Sequence, residues 1–251
     1  MLSAHGFSHV GRVRQTNEDS WLADSELGLY VVADGMGGHN AGEVASQMTV
    51  EIIRAFIART RAGEDVTWPF GLDPHLSFHA NRLSTALKIA NRRVFKVSES
   101  RDEYTGMGTT VVAVLVDGTN VVYASVGDSR LYLFNGGQIT QLTRDDSWIG
   151  TVLAANPDVD RRALASHPMR HVLTNVVGAR DHLDVDAVER ELAAGDHLLL
   201  CSDGLHNALE DEEIADILNG KNSVERAAVA LVETAVERSG ADNTTAILIR
   251  A

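Results

Sequence analysis

The stretch Thr109–Val126, TTVVAVLVDGTNVVYASV, decides the fold class. Two apolar, largely β-branched runs, Thr109 to Val116 and Val121 to Val126, flank Asp117-Gly118-Thr119-Asn120. Asp-Gly tolerates positive φ, so the segment predicts two antiparallel strands joined by a tight turn. The following residues repeat the arrangement: Leu131 to Phe134 and Gln138 to Leu142 flank Asn135-Gly136-Gly137. Consecutive hairpins demand antiparallel pairing and argue against a doubly wound parallel sheet. Leu29 to Ala33, His197 to Cys201 and Thr245 to Arg250 supply further strands.

Around these strands lie helical periodicities. From Ala41 to about Ala58, Val44, Met48, Ile52 and Phe56 recur at i+4. From His79 to Val97, Leu83, Leu87, Ala90, Val94 and Val97 form one stripe. Asp211 to Leu218 predicts a short helix with an acidic first turn and Gly220 beyond its end. Ser223 is the expected N-cap of a helix through Val236, followed by Gly240. Helices with one apolar face must cover sheets, which gives an α+β class. Arg144 to Gly178 reads poorly as helix or strand and is expected to be an irregular subdomain.

The 251 residues are 44% hydrophobic and 23% charged, enough to bury a core and to rule out disorder as the dominant state. A net charge of −13 argues against nonspecific binding to nucleic acid or anionic membranes and suits a protein that holds cations. The single cysteine, Cys201, leaves no intrachain disulfide and no Cys-rich zinc site; it reads as a buried core thiol. No apolar run approaches the roughly 20 residues of a membrane span. Met1 to Gly11 lacks a basic-then-apolar leader, so a cytoplasmic location is expected. There is no repeat and no Pro/Ser-rich linker, so residues 1–251 read as one domain.

The chemistry is concentrated in aspartates at strand ends. Asp34-Gly35 follows Val31-Val32-Ala33, Asp128 follows Val126-Gly127, Asp203-Gly204 follows Leu199 to Ser202, and Asp242-Asn243 precedes Thr244 to Ile247. A carboxylate beside a buried strand must be hydrogen-bonded, paired or on a metal. One such Asp is ordinary turn chemistry; four in one domain point to more. Carboxylates, a glycine carbonyl and waters suit hard cations such as Mg2+ or Mn2+. Two of these can clamp a phosphoryl oxygen and activate a water.

Rival chemistries fail on their spacing. No His-x-x-x-His pair stands beside a Glu for zinc. A cysteine phosphatase needs an Arg six residues after Cys201, where Asn207 stands. Asp184-Val185-Asp186 follows polar residues rather than a strand, Gly127-Asp128-Ser129-Arg130-Leu131 lacks the second glycine of a serine-hydrolase elbow, and no Walker loop is present.

The motif order resembles the metal-dependent type 2C (PPM) Ser/Thr protein phosphatase family in its bacterial form. The residues that carry the likeness are Arg14-x-x-Asn17-Glu18-Asp19, Val32-Ala33-Asp34-Gly35-Met36-Gly37-Gly38-His39 and Gly106-Met107-Gly108-Thr109-Thr110. The order continues through Val126-Gly127-Asp128-Ser129-Arg130, His171-Val172-Leu173-Thr174, Cys201-Ser202-Asp203-Gly204-Leu205 and Asp242-Asn243-Thr244-Thr245.

The resemblance implies a central sandwich of two antiparallel sheets flanked by helices, with Arg144 to Gly178 as a mobile flap beside the active site. It implies hydrolysis of phosphoserine and phosphothreonine in proteins by a hydroxide bridging two Mn2+ or Mg2+ ions. Asp34 would bridge both ions, the Gly35 carbonyl would bind one, and Asp203 and Asp242 the other. Asp19 and Glu18 would act mainly through waters, and Arg14 would bind phosphate, its planar fork suiting the group. Arg12 would be a surface charge.

Two positions depart from the family pattern. Met36 stands where many eukaryotic members place a candidate general-acid histidine, leaving His39 as the candidate here. Asp146 replaces a histidine common in bacterial members. Asp128 has two readings, a turn aspartate paired with Arg130, or a ligand shared with Asp203 for a third, weaker cation. The expected partners are phosphorylated Ser/Thr proteins and a Ser/Thr kinase or its substrates, with no nucleic acid and no membrane, for a monomeric chain. A catalytically silent module on this fold, or a phosphatase of small phosphoesters, are the alternatives.

Overall fold

The computed structural model describes residues 2–38, 41–64, 66–156, 159, 164, 167–221 and 223–251. Eleven strands appear among them: β1 (Ser3–His9), β2 (Asp19–Asp24), β3 (Leu29–Met36), β4 (Gly108–Thr109), β5 (Val111–Asp117), β6 (Asn120–Val126), β7 (Arg130–Asn135), β8 (Gln138–Gln141), β9 (Val188–Glu191), β10 (His197–Cys201) and β11 (Thr244–Arg250). One sheet runs β1-β11-β10-β7-β8. The other runs β2-β3-β5-β6-β9, with β4 pairing off-path to β3. Every ladder is antiparallel.

The period of two in the deciding stretch separates two cores. Val111, Ala113 and Leu115 face helices α1 (Ala41–Arg61) and α2 (Phe78–Ser100). Val112, Val114 and Val116 face the other sheet, meeting Leu131, Leu198, Leu200, Ile247 and Ile249. A strand buried on both faces reads as a continuous apolar run, as this one does. The outer face of the second sheet packs Tyr132, Leu199, Cys201, Ala246 and Leu248 beneath helices α5 (Asp211–Asn219) and α6 (Val224–Arg238). The result is the expected helix–sheet–sheet–helix sandwich.

The expected helices form within a few residues of their limits. Ser223 caps α6, its Oγ accepting from the Arg226 amide at 3.1 Å. Three differences appear. β1, β2 and β9 carry mixed polar sequences without strict alternation and have no signal of their own; all three pair at sheet edges. The strand expected from Thr109 is interrupted at Thr110, whose amide and hydroxyl leave the ladder for Asp34 and Ser129. The irregular segment contains a helix, α3 (Trp148–Ala155), which Ser147 starts by accepting from the Gly150 amide at 3.1 Å.

Candidate metal and phosphate site

The aspartates singled out by sequence converge at one end of the sandwich because strand register places them there. Asp34, near the end of β3, is the ladder partner of Asp19 at the start of β2. Cys201 pairs with Ala246 on β11 and Arg130 on β7, so the exits and entries carrying Asp203, Asp242 and Asp128 lie together. Asp203 opens a short helix, α4 (Asp203–His206). Two glycines permit the close approach. A Cβ on Gly35 would lie 2.1 Å from the Gly42 carbonyl, and one on Gly204 would lie 2.0 Å from the Asn243 carbonyl.

The cleft formed there has a volume of about 1000 Å3. Arg14, Glu18, Asp34, Gly35, Asp128, Asp203 and Asp242 all line it, so the structure brings these predicted residues together. Asp19 lies just behind. Its Oδ2 accepts from Ser202 Oγ at 2.8 Å and Thr245 Oγ1 at 2.6 Å. His39 lies outside the described residues. Ile149, Arg170, His171, Leu173 and Val176 reach the cleft from the segment expected to be a flap.

Crowded carboxylates without a compensating cation hold protons. Burial first, then the neighbouring Asp19, Asp203, Asp128 and Asp242, pushes Asp34 well above the usual carboxylate range. Burial raises Asp19 to about 7 against the pull of its two hydroxyl donors. Burial, then Asp203 and Asp145, raises Asp128 to about 7 as well. Asp203 is raised by burial and then by Asp242. Glu18 is raised by burial despite Arg14.

The donor set fits hard divalent cations. Asp19 Oδ1 and Asp203 Oδ1 are buried with no hydrogen-bond partner. An orphaned carboxylate oxygen is costly unless an ion meets it. Among the described residues no three His, Cys, Asp or Glu side chains form a metal cage by themselves. Hard cations also take waters and a backbone carbonyl as ligands. Arg14 sits at the mouth, its Nη2 donating to Asp242 Oδ2 at 2.9 Å and its Nη1 lying 4.0 Å from Glu18.

Asp128 and Arg130 do not pair, which corrects one of the two readings of that turn. The Arg130 guanidinium grips Asp145, with Nε to Oδ1 at 3.0 Å and Nη2 to Oδ2 at 2.7 Å. Its Nη1 donates to the Tyr132 hydroxyl at 2.9 Å. The Asp128 carbonyl instead accepts from His206 Nε2 at 3.0 Å, joining that turn to the helix that carries Asp203. Asp146, one of the departures, ties the turn to the flap base. Its amide donates to the Gly127 carbonyl at 2.8 Å and its carboxylate accepts from Asn175 Nδ2 at 3.0 Å.

Several working residues received no role from sequence. Asn243 is buried and clamps the loop bearing Arg14. It donates to the Val10 and Thr16 carbonyls at 2.9 and 3.0 Å and accepts from the Glu18 amide at 2.8 Å. Thr109 Oγ1 donates to the Asp34 carbonyl at 2.8 Å. All lie inside quoted motifs, yet a polar residue next to a strand end carries no signal for which backbone it will hold.

Comparison with known proteins places the chain. The model for the protein phosphatase 2C family matches residues 6–243. The serine/threonine phosphatase stp of Listeria welshimeri is 33% identical over 246 residues, covering 95% of this chain and 92% of that protein. The crystal structure of the Mycobacterium tuberculosis serine/threonine phosphatase PstP/Ppp superposes with a TM-score of 0.84 at 33% identity, covering 99% of this chain and 98% of that one. The PstP catalytic domain in complex with two manganese ions gives a TM-score of 0.82 at 31% identity, covering 99% and 97%. The chain belongs to the protein phosphatase 2C family and is a serine/threonine protein phosphatase.

Proposed function

We propose that this protein phosphatase 2C family member works with two Mn2+ or Mg2+ ions held by Asp34, the Gly35 carbonyl, Asp203 and Asp242. Asp19 and Glu18 act around them through waters. The observation that carries the assignment is the convergence of buried, proton-holding carboxylates, two of them with orphaned oxygens. When bound, such ions lower the pKa of a coordinated water and neutralise phosphoryl oxygens.

The chain's own groups do the rest. Arg14 presents a two-pronged fork at the mouth, free to leave Asp242 for two phosphate oxygens. Ser202 and Thr245 hold one oxygen of Asp19 and leave the second buried and without a hydrogen-bond partner, available to a cation or its water. The Asn243 clamp sets the height of Arg14 and Glu18 over the carboxylates. Asp128, held through its carbonyl by His206, stands where a third, weaker cation shared with Asp203 would sit.

An open cleft of about 1000 Å3 supports a phosphorylated side chain on a protein surface as the substrate. We assign them to the products of a Ser/Thr kinase, or the kinase itself, met by a monomer in the cytoplasm. No helix of the described residues is long and apolar enough to cross a membrane. The test is Mn2+ titration by calorimetry paired with phosphothreonine-peptide hydrolysis. The wild type should bind two strong equivalents and cleave the peptide in preference to p-nitrophenyl phosphate. Near-normal turnover by Asp34→Asn at saturating Mn2+ overturns the ligand assignment.

A further inference from the structure

A second concavity, of about 520 Å3, lies between α1 and α2 and shares no lining residue with the cleft. One wall presents Ile52, Ala55, Phe56 and Arg59, the i, i+3, i+4, i+7 spacing of a single helix face. The facing wall presents Ile89, Arg92, Arg93 and Lys96 at the same spacing. The connection after α1 closes the end with Val66, Pro69 and Phe70. The floor is stiffened by the edge-on contact of Phe56 and Trp68, ring centroids 5.6 Å apart.

The charge here is opposite to that of the chain. No carboxylate lines the groove among the described residues, although the net charge is −13. Arg59 is bound to Glu64 at 2.8 Å. Arg92 lies 4.7 Å over the Phe70 ring, and Arg92, Arg93 and Lys96 have no ion-pair partner among the described residues. Arg92 and Lys96 stand i, i+4, a like-charge spacing that opposes helix formation. Phe70 remains 38% exposed. Arg92 rests on Phe70 while Arg93 and Lys96 are exposed, so the groove presents three cations beside apolar side chains.

We propose that this groove docks a short acidic segment of a partner protein. Its carboxylates meet Arg92, Arg93 and Lys96, and one apolar side chain enters between Phe56, Ile89 and Phe70. The volume suits one or two side chains. Charge complementarity selects the occupant. A concavity of this size receives a side chain from a short segment, which a flat polyanion such as a membrane surface does not supply.

The test pans a random peptide display library on the wild-type chain, with R92E/R93E/K96E as the subtracting control. Enriched peptides should combine Asp or Glu with a large apolar residue. A labelled enriched peptide should bind the wild type, weaken with added salt, and lose about tenfold or more in affinity to the triple variant. R92Q/R93Q/K96Q repeats the comparison if charge reversal impairs folding, and F70A should weaken binding while leaving its salt dependence. Turnover of a short phosphopeptide should be unchanged in all three variants. Failure to enrich acidic peptides overturns the proposal, as does equal binding to wild type and variants. Cation-dependent sedimentation with phosphatidylserine vesicles without peptide binding also overturns it.

Discussion

The Arg14 guanidinium and the Asp242 carboxylate meet across the mouth of the cleft at 2.9 Å, joining two loops 228 residues apart in sequence. Both side chains keep substantial exposure, 48% and 38%. A pair in that setting contributes about 0–1 kcal/mol, so its partnership is easily exchanged. It holds a phosphate-shaped donor in place beside the carboxylates without committing it.

Arg14→Ala should therefore leave the melting temperature within about 2 °C of wild type. Loss of a charged hydrogen bond to substrate should lower kcat/KM for a phosphopeptide by about 10–100-fold. Mn2+ affinity should stay nearly intact, since the guanidinium meets no cation. Calorimetry showing a large loss of metal affinity with unchanged kinetics would reverse the assignment.

The carboxylate cluster sets a pH signature. Asp19 and Asp128 titrate near 7 in the folded, cation-free chain, against 3.8 as the ordinary value. Between those limits the folded state holds protons that the unfolded state has lost, so stability of the cation-free chain falls as pH rises. A bound divalent ion displaces those protons. The gain in melting temperature on adding Mn2+ over EDTA should therefore widen from about pH 5.5 to about pH 7.5. Asp34→Asn and Asp203→Asn should each cost about a thousandfold or more in turnover while the fold survives. Without cations at neutral pH both should melt no lower than wild type, because the neutral amide relieves the carboxylate crowding that already forces protons onto the cluster.

The Asp128 turn separates two roles that its sequence left joined. Because Arg130 is held by Asp145, Asp128→Ala breaks no ion pair and should keep its melting temperature. It should lower kcat more than it raises KM, with two strong Mn2+ equivalents still bound. Asp145→Ala should do the opposite, stranding a largely buried guanidinium and costing about 2–3 kcal/mol of stability. Full kcat in Asp128→Ala together with a lowered melting temperature would return that residue to a structural role.

Most of the sandwich was legible because its central strands are buried on both faces and its helices carry i+4 stripes. Edge strands β1, β2 and β9 were not, since an edge partner needs no alternation to be recruited. The Asp34, Asp128, Asp203 and Asp242 cluster was legible because a carboxylate directly after an apolar strand is costly without a partner. The destination of Arg130 was not. Asp145 is separated from it by a whole hairpin, and nothing local favours it over Asp128 two residues away. Asn243 was missed for the same reason: its three bonds reach backbone more than 220 residues away in sequence.

Cys201 offers a test of the core. Burial pushes its thiol up to about 12, against the pull of Arg130. Native protein should resist a thiol reagent such as DTNB at about pH 8 and react with one equivalent after unfolding. The sign of the linkage follows. The unfolded thiol ionises near 9 and the folded one does not, so this residue's contribution to stability is lost as pH rises from about 9 toward 12. Cys201→Ser should melt lower, burying a hydroxyl in an apolar layer. Rapid labelling of the native chain would show that the strand end opens.

Asn243 should prove to be a positioning residue for Arg14 and Glu18. Its two donors hold the Val10 and Thr16 carbonyls and its acceptor holds the Glu18 amide, all within one buried side chain. Asn243→Asp keeps the shape and the acceptor but removes both donors and sets a charge against carbonyl oxygens. It should cost about 2–4 kcal/mol of stability. Asn243→Ala unpairs the Glu18 amide as well but adds no charge, and should also destabilise the fold. In both, the loop that carries Arg14 loses its anchor, so KM for a phosphopeptide should rise several-fold while Mn2+ still binds through Asp34 and Asp203. The distinguishing measurement is a double variant. If Asn243 acts by placing Arg14, Asn243→Ala added to Arg14→Ala should raise KM little further, since the guanidinium is already gone. Full additivity would show that Asn243 supports the fold without orienting the arginine.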